Sequence, residues 1–267
     1  MRVAILTPRR PQSEMLIRRL VQTGITPSLV LYHRKQEATG FDRYQKSIKD
    51  FLKSIFFFRT ISERVRRVRL SNERDADRLL EIFAQRFSLH QDAQVLPSVR
   101  EITQINHEDT AKLLRTHDID ILFIWGVPII RPIVIDSVRS MVLNAHSSIL
   151  PEYRGARSEF WQCYHKDFTH AGVTLHKVDV GVDTGDILLQ VRAESPDLIH
   201  PERLRASNAI RIIESLPTLL ASIKAGTLQP LSQADIPAPS TPTYRIRDVR
   251  LHHLSKVYLG LDLDDGR

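Results

Sequence analysis

Short apolar runs, each too brief for a helix, recur along this chain with helical stretches between them; Val3-Ala4-Ile5-Leu6, Leu29-Val30-Leu31 and Ile119–Trp125 are the clearest. Strands buried on both faces read as continuous apolar runs, because the helices that connect parallel strands also cover them. The pattern therefore predicts an α/β fold with a Rossmann-like, mostly parallel sheet flanked by helices. The first 32 residues read as strand–helix–strand, with Ser13 as the helix N-cap and Gly24 as its C-terminal stop. A second unit places a strand near Ile102–Ile105, a helix from Glu108 to Arg115 and a strand at Ile119–Trp125. Pro132 opens a further helix, and Met141–Asn144, Gly172–Val178 and Ile187–Val191 complete the strands.

The 267 residues allow one large domain with an appendage. Residues 41–90 are mostly helical by periodicity and form an insertion between the two units. From Pro201 a helix runs to about Lys224, after which Pro237, Pro239 and Pro242 mark a loop. Residues 1–226 thus read as the main domain and 227–267 as a short C-terminal extension, with a frayed tail from Asp262.

The formal net charge is +7 and the isoelectric point is near 9.7, yet the excess is local. Between Phe41 and Leu70 nine Lys and Arg stand against three Asp and Glu, while elsewhere the charges nearly balance. Within that stretch Ile48, Phe51, Leu52, Ile55 and Phe56 fall on one helical face, with Lys46, Lys49 and Lys53 off it. The favoured reading packs this apolar face on the main domain; a lid over an apolar ligand or contact with an anionic membrane surface is the weaker one. No nucleic-acid partner is expected. No run of about 18 apolar residues exists, and the opening reads as a strand rather than a secretory signal, so a cytoplasmic protein is expected. The single Cys163 excludes an internal disulfide and a thiolate zinc site, and no metal is expected.

The first strand–helix turn, Thr7–Gln12, has no glycine, so a pyrophosphate could not approach its backbone as dinucleotide folds require. A His-Glu-x-x-His helix and a Gly-x-Ser-x-Gly elbow are also missing. What remains is local. Asn144 and His146 stand at spacing two at the end of an apolar strand, which points both side chains to one side. An amide donor beside an imidazole can hold an oxyanion and move protons. A carboxylate from a Gly-flanked loop, Asp183 or equally Asp179, could keep the imidazole charged or accept a proton. Each also has an ordinary structural reading, as a satisfied histidine, a turn cap or an Asx turn.

The stretch Asn144-x-His146-x-Ser148-x-Leu150-Pro151-x-x-Arg154-Gly155 resembles the signature of folate-dependent formyltransferases. Seven fixed positions at roughly 5% usage each would arise by chance on the order of 10⁻⁷ in such a chain. The run Gly172-Val173-Thr174-x-His176-x-Val178-Asp179, with Asp183-Thr184-Gly185-Asp186 after it, resembles the second half of that pattern. The resemblance implies the formyltransferase fold, selects Asn144, His146 and Asp183 as the catalytic group, and implies 10-formyltetrahydrofolate as donor to a primary amine. By the same resemblance the pterin sits between Val127, Pro128, Ile129 and Ile130 and the backbone of Val180, Gly181 and Val182.

The acceptor is less constrained. Thr7-Pro8-Arg9-Arg10-Pro11 replaces the glycine-containing phosphate loop of glycinamide ribonucleotide enzymes, and the forty residues after Gly226 are too few for the barrel of the tRNA enzymes. Arg154–Trp161 is closest in pattern to the sugar N-formyltransferases, so the expected acceptor is an amino sugar, nucleotide- or lipid-linked. Arg9 and Arg10 are candidate phosphate contacts at a helix start, and Ser148, Arg154 and Glu159 further candidates for the acceptor. A hydrolase of the formyl donor, a methionyl-tRNA formyltransferase-like enzyme and a folate-binding protein without turnover are the alternatives. The oligomeric state is open, with a dimer compatible.

Overall fold

A computed structural model of the protein describes residues 1–34, 56–89, 98–194 and 200–262. Its centre is a seven-stranded sheet: β1 (Val3–Thr7), β2 (Leu29–His33), β3 (Ser98–Ile102), β4 (Ile121–Ile124), β5 (Met141–His146), β6 (Gly172–Lys177) and β7 (Ile187–Arg192). The spatial order is β3-β2-β1-β4-β5-β6-β7. Pairings from β3 through β5 are parallel, whereas β5–β6 and β6–β7 are antiparallel. The chain leaves β1 toward one edge and returns to β4 on its other side, so a crevice opens at the carboxyl ends of β1 and β4, where open α/β sheets bind ligands.

The helices are α1 (Pro11–Gln22), α2 (Phe56–Arg86), α3 (Glu108–Thr116), α4 (Pro132–Ile135), α5 (Ser158–His165), α6 (Pro201–Ala225) and α7 (Leu251–Leu259). Leu16 and Leu20 of α1, Leu80 and Phe83 of α2 and Ile212 and Leu216 of α6 form one apolar layer with Ile5, Phe123 and Ala145. Leu114 of α3 and Val134 of α4 form the other with Leu6, Ile124 and Val142. A third cluster joins Tyr153, Phe160 and Trp161 to Tyr244 of the C-terminal extension, with Trp161 and Tyr244 stacked at 4.4 Å.

Three sequence expectations are corrected. Arg10, not Ser13, caps α1, because Pro11 takes the first helical position, where its missing N–H costs nothing. Ser13 Oγ instead donates to Pro8 O at 2.8 Å and meets Thr7 Oγ1 at 2.9 Å, tying the helix to the end of β1. The strand expected at Ile102–Ile105 runs from Ser98 to Ile102; it is the sheet edge, largely exposed, so its sequence lacks the apolar run of a buried strand. The loop after α6 carries further structure, ending in α7.

The amphipathic face proposed for residues 46–58 lies almost wholly outside the described residues, and Asp262 alone of the expected tail lies within them. Further along α2, Ile61 and Val65 are buried one turn apart, while Arg64, Arg66 and Arg67 are exposed. That portion packs its apolar side inward. No described helix is long and apolar enough to cross a membrane.

Candidate active site

β5 delivers Asn144 and His146 to the carboxyl edge, and the β5–β6 register sets Asn144 opposite His176. Asn144 Nδ2 lies 3.1 Å from His176 Nε2 and donates to Asp183 Oδ1 at 3.2 Å. His176 Nδ1 is tied to the Lys177 carbonyl at 2.7 Å, and its Nε2 also stands 3.4 Å from Asp183 Oδ1. His146 Nε2 meets the Tyr153 carbonyl at 2.8 Å, and its Nδ1 stands 3.3 Å from Asp183 Oδ2. Both ring nitrogens thus face oxygen atoms of the protein. Ser158 Oγ, 3.2 Å from the same Nε2, braces the ring.

Asp183 is the hub. It takes a left-handed φ of +54°, which aspartate tolerates better than most residues. Its Oδ2 accepts the Gly155 amide at 2.9 Å. Burial pushes the carboxyl up, but His146, His176 and the Gly155 N–H outweigh it and hold Asp183 well below the usual carboxylate range. Asp179, an equal candidate by sequence, is exposed and accepts from Gly181 N at 3.1 Å and Thr184 Oγ1 at 2.6 Å, so it shapes the loop.

A cavity of about 220 Å³ opens beside His146, lined among others by Thr7, Pro8, Arg10, Trp125, Gly126, Gly155, Arg157, Ser158, Glu159 and Arg205. It lies at the crevice between β1 and β4, toward the α1 and α6 face. Asn144 shares strand parity with Val142, on the other face, whose apolar layer includes Ile130 and gathers Val127 and Val178. Asn106 fixes that loop by donating to Ile129 O at 2.9 Å and accepting from Arg131 N at 2.7 Å. Pro128, Ile129, Val180 and Gly181 are exposed there; Ile129 is 70% and Val180 94% exposed, and Val182 is 38% exposed.

Among the acceptor candidates, Arg10 and Glu159 line the cavity and three do not. Arg9 pairs with Glu14 at 3.4 Å and Glu101 at 3.8 Å. Ser148 is fully buried and donates to Glu152 O at 2.6 Å. Arg154 Nη2 donates to Gln233 Oε1 at 2.7 Å. His176, Ser158, Gln233, Arg157 and Arg205 were not selected from the sequence, although His176 stood within the quoted pattern. Among the described residues no group of three or more His, Cys, Asp or Glu could hold a metal ion.

Residues 82–204 match the profile of the formyl transferase family. A methionyl-tRNA formyltransferase from Solibacter usitatus is 36% identical over 118 residues, 44% of this chain and 38% of the relative. One from a Synechococcus species is 33% identical over 138 residues, 50% of this chain and 41% of the relative. The match thus spans about two fifths of these curated relatives. Among solved structures, a glycinamide ribonucleotide transformylase from Symbiobacterium toebii superposes with a TM-score of 0.55 at 17% identity, covering 87% of this chain and 94% of the other. A sugar N-formyltransferase from a Shewanella species gives 0.55 at 12% identity, covering 95% and 87%. A 4-N formyltransferase from Francisella tularensis gives 0.54 at 13% identity, covering 97% and 86%. At such identities these likenesses establish the fold, which is that of the formyltransferases.

Proposed function

We propose that this chain, whose residues 82–204 match the formyl transferase profile, transfers the formyl group of 10-formyltetrahydrofolate to a primary amine, that of an amino sugar. The observation that carries the reading is the convergence of Asn144, His146 and Asp183 within 3.3 Å contacts at the end of β5, beside a cavity at the crevice of the sheet. The exposed apolar Ile129, Val180 and Val182, backed by Val127 and Ile130, suit a flat pterin and would hold it with Pro128 and the Gly181 backbone. Bound there, the donor supplies an activated formyl carbon with a nitrogen leaving group.

Asn144 gives an N–H to the formyl oxygen as it becomes negative, a contact worth about 3–4 kcal/mol in such reactions. Its Nδ2 already meets His176 Nε2 and donates to Asp183 Oδ1, so an N–H is given over to substrate when the donor binds. His146, held between Tyr153 O and Asp183, serves as the general acid that donates a proton to the departing nitrogen. Asp183 receives the proton that the attacking amine sheds. The new C–N bond forms first, giving a tetrahedral oxyanion whose collapse breaks the old one; Asp183 takes up one proton, His146 gives one up, and the proton passes back from Asp183 to His146 across their 3.3 Å contact.

Purified protein given 10-formyltetrahydrofolate and a panel of amino sugars, with methionyl-tRNA included, is expected to release tetrahydrofolate only with an amino sugar. His146→Ala is expected to lower turnover at least a hundredfold. Wild-type turnover in that variant would overturn the assignment. Formate release without amine at the same rate would make the protein a hydrolase.

A further inference from the structure

Three groups meet at one nitrogen of His146. Its Nε2 lies 2.8 Å from Tyr153 O and 3.2 Å from Ser158 Oγ, and Ser158 Oγ also donates to Tyr153 O at 3.1 Å. The triangle is buried and rests on unusual backbone. Tyr153, which supplies the carbonyl, and Arg157, which precedes Ser158, take left-handed φ of +56° and +62°. Residues with a side chain disfavour that region and persist in it only where their surroundings fix them. Tyr153 is fixed by its N–H, which donates to Thr241 Oγ1 at 2.8 Å, and by its hydroxyl, which donates to Asp167 Oδ2 at 2.9 Å. Ser158 opens α5, yet its hydroxyl caps no amide of that helix. Among the described residues it bonds only to Tyr153 O and His146 Nε2, and it lines the cavity.

The two oxygens are not equivalent. A carbonyl only accepts, whereas a hydroxyl accepts through its lone pairs or donates its proton, as its neighbour requires. While Nε2 carries a proton, Tyr153 O and Ser158 Oγ both suit it. Nδ1 faces Asp183, so in the proposed reaction, on which this inference rests, the proton given to the departing nitrogen leaves from Nε2. The bare lone pair of Nε2 then stands against Tyr153 O, acceptor facing acceptor in a buried site, which is costly unless a donor intervenes. Of the two oxygens, that of Ser158 alone can bring one, by turning its proton from Tyr153 O to Nε2. We infer that Ser158 is a positioning residue whose hydroxyl reverses direction between the two protonation states of His146 Nε2, so that the ring gives up its proton without losing its place. The Ser158 O–H bond rotates and does not break, so the proton count of the reaction is unchanged.

NMR spectra of the His146 ring nitrogens, taken on the intact protein without folate or amine, test the switch apart from the reaction. Their shifts tell which nitrogen of the neutral ring carries the proton. Wild-type protein is expected to show a share of His146 with a bare Nε2, and Ser158→Ala to reduce that share about tenfold, the worth of one hydrogen bond. In steady-state kinetics Ser158→Ala should lower kcat about tenfold, a fraction of what general acid action supplies, with acceptor KM little changed. Ser158→Thr, which keeps the hydroxyl, is expected to restore both readouts. Ser158→Cys, whose thiol is a weak donor, should fall between them, and it carries the test if Ser158→Ala does not fold. The same tautomer populations with and without the hydroxyl, or a kcat unchanged by its loss, would overturn the inference. A tautomer shift in a protein that transfers no formyl group to any amine would leave it standing and sink the proposed reaction alone.

Discussion

Gln233 Nε2 donates to the carbonyl oxygen of Asp183 at 3.0 Å and to that of Gly185 at 2.7 Å, so a side chain from beyond α6 fixes the backbone of the proposed catalytic carboxylate. The same side chain accepts from Arg154 at 2.7 Å and thereby joins the Asp183 loop to the Arg154-Gly155 loop. The isolated bridge between Ile187 and Leu231 brings the chain to this point. The C-terminal extension thus acts as a strap across the two loops that meet at His146.

Gln233→Ala leaves two carbonyls and a guanidinium without this partner. An unsatisfied buried polar group costs about 1–3 kcal/mol, so a lower unfolding midpoint is expected. Because the residue positions Asp183 without touching substrate, kcat should fall about ten- to a hundredfold while acceptor KM changes little. Steady-state kinetics with thermal unfolding checks both, and an unchanged kcat would refute the strap's role.

The paired strand-end residues were legible because period-two spacing needs only local sequence; local sequence left Asp183 and Asp179 equal, and the family resemblance alone chose between them. Their partners were not legible. His176 acts through strand register, and Gln233 comes from a segment 50 residues beyond Asp183. The central strands were readable as apolar runs; the edge strand was not, since Ser98, Arg100 and Glu101 follow no buried pattern. The cap of α1 was misread because a proline at the first helical position fixes the start without a side-chain cap.

The loop after α5 should carry an acid-side stability dependence. Asp167 accepts from Tyr153 Oη at 2.9 Å, Thr169 Oγ1 at 2.6 Å and His170 Nδ1 at 2.9 Å. Burial pushes its carboxyl up, but these bonds outweigh it and bring it from the usual 3.8 down to about 2. A carboxyl depressed in the folded state stabilises the fold above its unfolded value, and that stabilisation is lost as pH falls from about 4 to about 2. Asp183, depressed likewise, adds to the loss with the same sign. Asp167→Asn should lower the unfolding midpoint at pH 7 and flatten its pH dependence in this window. Parallel melting curves of both proteins from pH 5 down to pH 2 provide the check; an unaltered slope in the variant would contradict it.

Gly155 stands where the two loops and the strap meet. Its φ of +92° is disfavoured for any side chain, and a Cβ there would sit 2.1 Å from the Tyr244 carbonyl oxygen. That oxygen already accepts the Ala156 amide at 2.8 Å, while Tyr244 N donates to Arg154 O at 2.9 Å. The Gly155 N–H itself serves Asp183 Oδ2. Gly155→Ala must therefore push Tyr244 away or turn its own amide off Asp183. A strained φ costs about 1–3 kcal/mol before the clash is counted, and 1 kcal/mol moves the midpoint of a domain of 150–250 residues by about 2–4 °C. The variant is expected to melt several degrees lower and to lose more in kcat/KM than stability alone explains, because freeing Asp183 loosens its hold on His146. Thermal unfolding and kinetics at a temperature where both proteins are fully folded separate the two effects. Wild-type kcat/KM in a variant with a lowered midpoint would confine the role of Gly155 to packing.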